Sequence, residues 1–266
     1  MGAATMQYDT LNVGIDGYVA TLTLNRPEVR NAFNETMIAE LTSAFTAFNA
    51  RDDIRAVVLA ANGKAFCAGA DLNWMKKMAG YSDDENRADA MLLANMLSSI
   101  YRCSKPVIAR VNGDAYAGGM GLIAACDIVV AVHGARFCLS EARLGLIPST
   151  IAPYVIRALG EQASRRYFLS AEQFDCATAL RLGLVSEAVS AEQLDATVQQ
   201  IAQTLCANGP QAVRACKQLV QDMAGRELND ALIEDTAARI ARTRAGAEGR
   251  EGVASFLEKR APAWRD

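Results

Sequence analysis

Histidine is nearly missing from this chain: one residue in 266, His133 in "VVAVHGA". A histidine-rich metal site is thereby excluded, and a Ser/His/Asp triad would have to use that one residue, with no G-x-S-x-G to accompany it. A lone histidine beside an apolar run reads as a structural residue near a strand end. No C-x-x-C pair occurs among the seven cysteines (67, 103, 126, 138, 176, 206 and 216). Their odd number and mostly apolar surroundings read as reduced, buried thiols. Long hydrophobic runs are also lacking. Charge-free stretches such as Ala115 to Cys126 stop well short of the ~18 residues of a membrane span. Positive charge is in no excess: the net charge is -3 with both signs interspersed, which leaves no footprint for nucleic acid or an anionic membrane. The start, "MGAATMQYD", has neither the basic and apolar regions of a signal peptide nor Ser or Thr at position 6 for myristoylation. The expectation is a soluble, cytoplasmic protein without a nucleic-acid or membrane partner.

What is present is a recurring strand-turn-helix order. "YVATLTLNRP" alternates apolar and polar residues up to Pro27, as a strand does. "NETMIAELTSAFTAFNARDD" follows with helical spacing and Asn34 as a plausible N-cap. "IRAVVLAAN" reads as a buried strand, "GKAFCAGAD" as a small-residue turn and "DENRADAMLLANMLSSIYRC" as an amphipathic helix. "KPVIARVNG", "DAYAGGMGLIAACD" and "DIVVAVHGARFCLSE" give a third round, a helix between two strands, and a fourth round contains "LGLVSEAVS". After about residue 190 the strands stop, and three helices punctuated by Gly and Pro are expected. The chain therefore reads as an α/β core over residues 1–190 with a helical region over 191–266.

Two turns, "FCAGADLNWM" and "AYAGGMG", each follow a strand and precede a helical segment. Small residues there admit close approach to the backbone, and unpaired N–H groups at a helix start suit an oxygen anion. Alternatively, the glycines serve only tight packing. "GMGLIA", Gly119 to Ala124, also matches G-x-G-x-x-A, with Glu141 at a distance suited to a ribose. That dinucleotide pattern fails on context, because "NGDAYA" separates the preceding strand from Gly119 and "FCAGAD" is left unexplained.

"LNRPEVRNAF", "GKAFCAGADL", "KPVIARVNGDAYAGGMGLIAACDI" and "FCLSEARLGLIP" together resemble, in order and spacing, the enoyl-CoA hydratase/isomerase (crotonase) superfamily over nearly the whole chain. The resemblance implies a crotonase-like spiral of ββα turns, with a C-terminal helical region that mediates assembly into a homotrimer or a dimer of trimers. It implies an acyl-CoA thioester substrate, CoA being part of that substrate, and neither a metal nor a redox cofactor. Two backbone N–H groups forming an oxyanion hole map to Ala70 and Gly118. CoA contacts map to Arg30, Ala32, Ala68, Asp71 and Leu72, with Phe256 and Lys259 in "SFLEKRAPAW" reaching CoA, often that of a neighbouring subunit. Solvated charge for Arg30 and Lys259 and helix packing for Phe256 are the plainer readings of those three.

Hydratases of this family commonly hold a water between two glutamates. The second maps to Glu141, expected to move protons at Cα or to activate water. Its plainer reading is an ion pair with Arg143 or a helix cap. The first maps to Gly121, which has no side chain. One carboxylate also suffices for double-bond isomerisation and other enolate chemistry, so fold membership does not choose the reaction. "GADLNWM", "GGMGLIAACD" and "LSEARLGLIPSTIAPYVIRALGEQASRRYFLSAEQF" look like bacterial methylglutaconyl-CoA hydratases of leucine breakdown, a subgroup that tolerates glycine at this position. The expectation drawn from it is that Gly121 makes room for a branched acyl group. Ser149, Thr150 and Pro153 in "PSTIAPYV" depart from the glycine-rich loop of many family hydratases, and its hydroxyls read equally as holding the water or as ordinary turn residues. Hydration is the first reading. An isomerase and a weakly catalytic CoA-binding scaffold are the alternatives.

Overall fold

The structure, a computed structural model, describes residues 7–265. Ten strands form two sheets. They are β1 (Leu11–Asp16), β2 (Val19–Leu24), β3 (Ala56–Ala61), β4 (Ala65–Cys67), β5 (Val107–Val111), β6 (Asp114–Tyr116), β7 (Ile128–Val132), β8 (Arg136–Cys138), β9 (Gln173–Asp175) and β10 (Glu187–Val189). The larger sheet runs β1-β2-β3-β5-β7-β10 and the smaller β4-β6-β8-β9. From β3 to β8 each consecutive pair sends its first strand to the large sheet and its second to the small one, and the chain then turns into helix. This is the expected spiral of ββα turns, and its fold class is α/β.

Residue parity places the core. Every residue of β3 is buried, because Val57 and Leu59 face the main core while Val58 and Ala60 face a second cluster with Leu194, Val198 and Ala202. Those last three lie on the helix Leu194–Ala207. This helix, beyond residue 190, covers the large sheet rather than standing apart from it. The expected N-cap is present: Asn34 accepts from Met37 N at 3.0 Å at the start of Glu35–Ala50.

Three expectations need correction. "GKAFCAGAD" is not wholly a turn, since Ala65–Cys67 is a strand, as is Asp114–Tyr116 ahead of the second glycine-rich turn. Three-residue strands are too short to show a period. The C-terminal helices number four among the described residues, Leu194–Ala207, Pro210–Met223, Asp230–Ala245 and Ala247–Leu257. The last carries Gly249 and Gly252, whose poor helix propensity hides it. The seven cysteines are free, but Cys216 is exposed. His133 follows the end of β7 and is exposed. Among the described residues no helix is long and apolar enough to cross a membrane.

Candidate active site

The strands β4, β6 and β8 run parallel, with Cys67 paired to Ala115 and Tyr116 to Cys138. Parallel strands end on one side, and ligands of such sheets bind beyond their carboxyl ends. Ala70 lies three residues after β4, Gly118 two after β6 and Glu141 three after β8. The small sheet thus delivers all three to one edge.

The first turn is held by the segment before Glu35–Ala50. Ala68 N donates to Arg30 O at 3.0 Å, Phe33 N to Gly69 O at 2.8 Å and Asp71 N to Phe33 O at 2.8 Å. Ala70, bridged to Phe33, is flanked by these bonds, and its own N–H meets no acceptor among the described residues. Gly69, at φ +92°, lies against the second turn: a Cβ built there would stand 3.0 Å from Ala117 Cβ and 3.7 Å from Gly118 N. The two turns are therefore in contact. Ala117 adopts φ 46°, ψ -120°, a conformation that a side chain disfavours and that fixed surroundings must impose. It turns the chain into the helix Gly118–Ala125, whose first N–H, that of Gly118, has no intrahelical acceptor and no other among the described residues.

Phe33 joins the two turns. Its backbone grips Gly69 and Asp71, and its ring lies where a Gly118 side chain would go: a Cβ there would overlap Phe33 Cε2 and stand 2.8 Å from Cζ. Glycine at 118 is a packing requirement as well as an opening for a ligand.

Glu141 opens the 3₁₀ turn Glu141–Leu144. Its Oε2 is buried with no hydrogen-bond partner among the described residues, and burial raises its pKa above the usual carboxylate range. No ion pair with Arg143 forms, since that guanidinium donates to Ala171 O. A buried, unpartnered carboxyl oxygen is costly to keep unless it has chemistry to do.

Arg30, Ala32, Ala68 and Asp71 are gathered beside the first turn. Arg30 is exposed and in the left-handed region at φ 52°. The Asp71 carboxylate is committed within the protein. It caps Leu72–Met78 by accepting from Asn73 N and Trp74 N, and it pairs with Arg26 Nη2 at 2.9 Å. Burial alone would push its pKa up, but the bonds from Asn73 and Arg26 hold it below the usual carboxylate range. Leu72 is 74% exposed at the mouth of the turn. Phe256, 82% exposed, and Lys259 lie at the end of Ala247–Leu257, a helix that packs on Pro210–Met223 and Asp230–Ala245. The chain does not itself bring these two to the gathered residues.

The space expected at Gly121 is not there. Gly121 is buried, and a Cβ on it would overlap Ile151 Cγ2, stand 2.9 Å from Ile151 Cβ and reach 3.4 Å from Leu97 Cδ2. Ile151 fills the volume that the sequence reading leaves for an acyl branch. Sequence reasoning also misses Arg26 and Asn31. Asn31 is fully buried at φ 54°, and its amide donates to Asn62 O and Ala65 O. A run of polar residues, "NRPEVRN", hides a folded knot, with tolerance of the left-handed region by Asn as its one signal.

Two sheets spiralling into three co-terminal turns define the crotonase class of fold. The family model for enoyl-CoA hydratase/isomerase matches residues 14–266. A crystal structure of an enoyl-CoA hydratase from Shewanella pealeana superposes with a TM-score of 0.94 at 41% identity, covering 97% of each chain. An enoyl-CoA hydratase from Mycobacterium smegmatis gives 0.91 at 36%, covering 97% of this chain and 99% of its own. Among curated proteins, the mevalonyl-coenzyme A hydratase of Aspergillus fumigatus is 36% identical over 93% of this chain and 92% of its own length. The chain belongs to the enoyl-CoA hydratase/isomerase family and is an enzyme of the enoyl-CoA hydratase type.

Proposed function

We propose that the enzyme adds water across the double bond of an α,β-unsaturated acyl-CoA, 3-methylglutaconyl-CoA of leucine breakdown, and that Ala70, Gly118 and Glu141 do the chemistry. The carrying observation is two N–H groups without an acceptor and one buried carboxyl oxygen without a partner, among the described residues, on the same sheet edge. The thioester oxygen accepts from Ala70 N–H and Gly118 N–H, which stabilise the negative charge that develops there. As a water oxygen bonds to Cβ, Glu141 takes one of its protons, and the double-bond electrons pass through Cα to the thioester oxygen as an enolate. Glu141 then returns that proton to Cα and the carbonyl re-forms. One water is added and the carboxylate is regenerated. Water, substrate and Glu141 account for every proton and electron pair, with CoA a part of the substrate.

The branched substrate is supported by the motif likeness around Gly121 and by the Aspergillus relative, since a mevalonyl group, like 3-methylglutaconyl, carries a methyl at Cβ. Arg30, Ala32, Ala68 and Leu72 line the CoA path in this reading, with Asp71 fixing the turn through its cap and ion pair. Phe256 and Lys259 reach CoA in a neighbouring subunit of a trimer or dimer of trimers. The helices after Leu194–Ala207 carry exposed Val220, Ile233, Val253 and Leu257, the apolar surface that such an assembly would bury. The proposed location is the cytoplasm.

A second reading, 3-enoyl-CoA isomerisation, is favoured by Gly121, because moving one proton between carbons needs one carboxylate. Steady-state assays on 3-methylglutaconyl-CoA, crotonyl-CoA and a 3-enoyl-CoA separate them. The expected order has methylglutaconyl-CoA hydration first in kcat/KM. Faster isomerisation would establish the second reading, and no turnover of any would leave a scaffold.

A further inference from the structure

In a helix the Cα–Cβ bonds tilt toward the N-terminus, so a side chain at 121 would lie over the turn that begins at Gly118. That is the turn whose first N–H, that of Gly118, has no acceptor among the described residues. The volume is instead taken by Ile151, which is 2% exposed, backed by Leu97 at 0%. Ile151 is fixed in place. Its carbonyl accepts from Val155 N at 3.0 Å at the start of Ala152–Leu159, and the loop leading to it is tied back by Leu146 N donating to Glu141 O at 3.1 Å. The same loop therefore begins at Glu141 and ends at the residue that occupies the volume beside Gly121.

We propose that Ile151 is a positioning residue that holds the hydration site to a single carboxylate: its side chain takes the volume that a residue at 121 and its bound water would use, so that the attacking water is left to Glu141 alone. The inference rests on the hydration reading above. Its physical content is a steric and dielectric one. A carboxylate introduced at 121 would have to displace a packed aliphatic group and would sit unpaired against Ile151 and Leu97, and both effects disfavour it. Shortening residue 151 removes both obstacles. Ile151 and Gly121 thus form a matched pair in which either change alone is harmful and the two together open a different site.

The experiment compares Gly121→Glu, Ile151→Ala and the double variant, assayed by hydration of crotonyl-CoA and of 3-methylglutaconyl-CoA across pH. Gly121→Glu alone is expected to lose ~100-fold in kcat/KM through displacement of Ile151 and of the loop that joins it to Glu141. The double variant is expected to recover crotonyl-CoA hydration by ~10-fold or more over that single variant, and to show a second ionisation on the acid limb that the wild type lacks. A merely structural Ile151 would not produce that second ionisation. Equal activity of Gly121→Glu and the double variant, or a double variant with one ionisation, overturns the proposal. Should Gly121→Glu fail to fold, the Gly121→Ala and Ile151→Ala cycle is read as thermal stability. The double variant then loses less Tm than the two singles summed, and strict additivity overturns the pairing. This stability arm uses no substrate, so its outcome stands apart from whether methylglutaconyl-CoA is the substrate.

Discussion

Glu141→Gln is expected to lower the kcat of hydration by ~10²–10⁴-fold, the usual worth of a positioned acid-base group, with KM little changed. The amide keeps the shape of the side chain and cannot take a proton from water. Because Oε2 has no hydrogen-bond partner among the described residues, the exchange of that atom breaks no hydrogen bond. The fold should tolerate it well. Burial raises the folded-state pKa of Glu141, whereas the unfolded chain titrates in the ordinary carboxylate range. Between those two values the folded state binds more protons, so this group's contribution falls as pH rises through the folded pKa. At neutral pH the Gln variant is therefore at least as stable as the wild type, and the difference vanishes in acid below the ordinary range. Stopped assays beside thermal melts check both halves. Unchanged turnover would remove Glu141 from the mechanism.

Gly118→Ala should be nearly as damaging, and for a backbone reason. Loss of one oxyanion donor typically costs ~10²–10³ in kcat. Here the added Cβ would run into the Phe33 ring, and Phe33 carries the bonds to Gly69 and Asp71 that set the Ala70 N–H. Phe33 is itself a core residue, 1% exposed, with little room to retreat. Displacing it moves both donors, so the loss should reach or exceed the upper end of that range and fall on kcat rather than KM. Circular dichroism beside the assay checks that the fold is retained. A Gly118→Ala enzyme with wild-type kcat would show that this N–H does not stabilise the transition state.

The sequence made some of this legible and hid the rest for identifiable reasons. Elements with a long apolar run or a period were read well: β3 from its unbroken run, Glu35–Ala50 from its spacing and its Asn34 cap. The short strands of the small sheet were not, although they alone explain why Ala70, Gly118 and Glu141 share an edge. The donor turns stood out because small residues are visible in a sequence. The groups that set their geometry did not, because Phe33 reads as one more core aromatic and Asn31 as one more polar loop residue. Gly121 shows the limit most clearly. A missing side chain is readable, but what fills the space left by it belongs to Ile151, thirty residues further along the chain.

The central claim is that one carboxylate, Glu141, moves the protons of hydration. The pH dependence of kcat/KM in the wild type and in Glu141→Gln tests it most directly. The wild type should show a single ionisation on the acid limb, with activity rising with pH through a pKa above the ordinary carboxylate range. The residual activity of Glu141→Gln should lack that limb. Both proteins meet the same ionisations of the substrate, so a limb present in one and missing from the other belongs to Glu141. An acid limb that survives unchanged in Glu141→Gln, or two wild-type ionisations that are both missing from Glu141→Gln, would contradict the account.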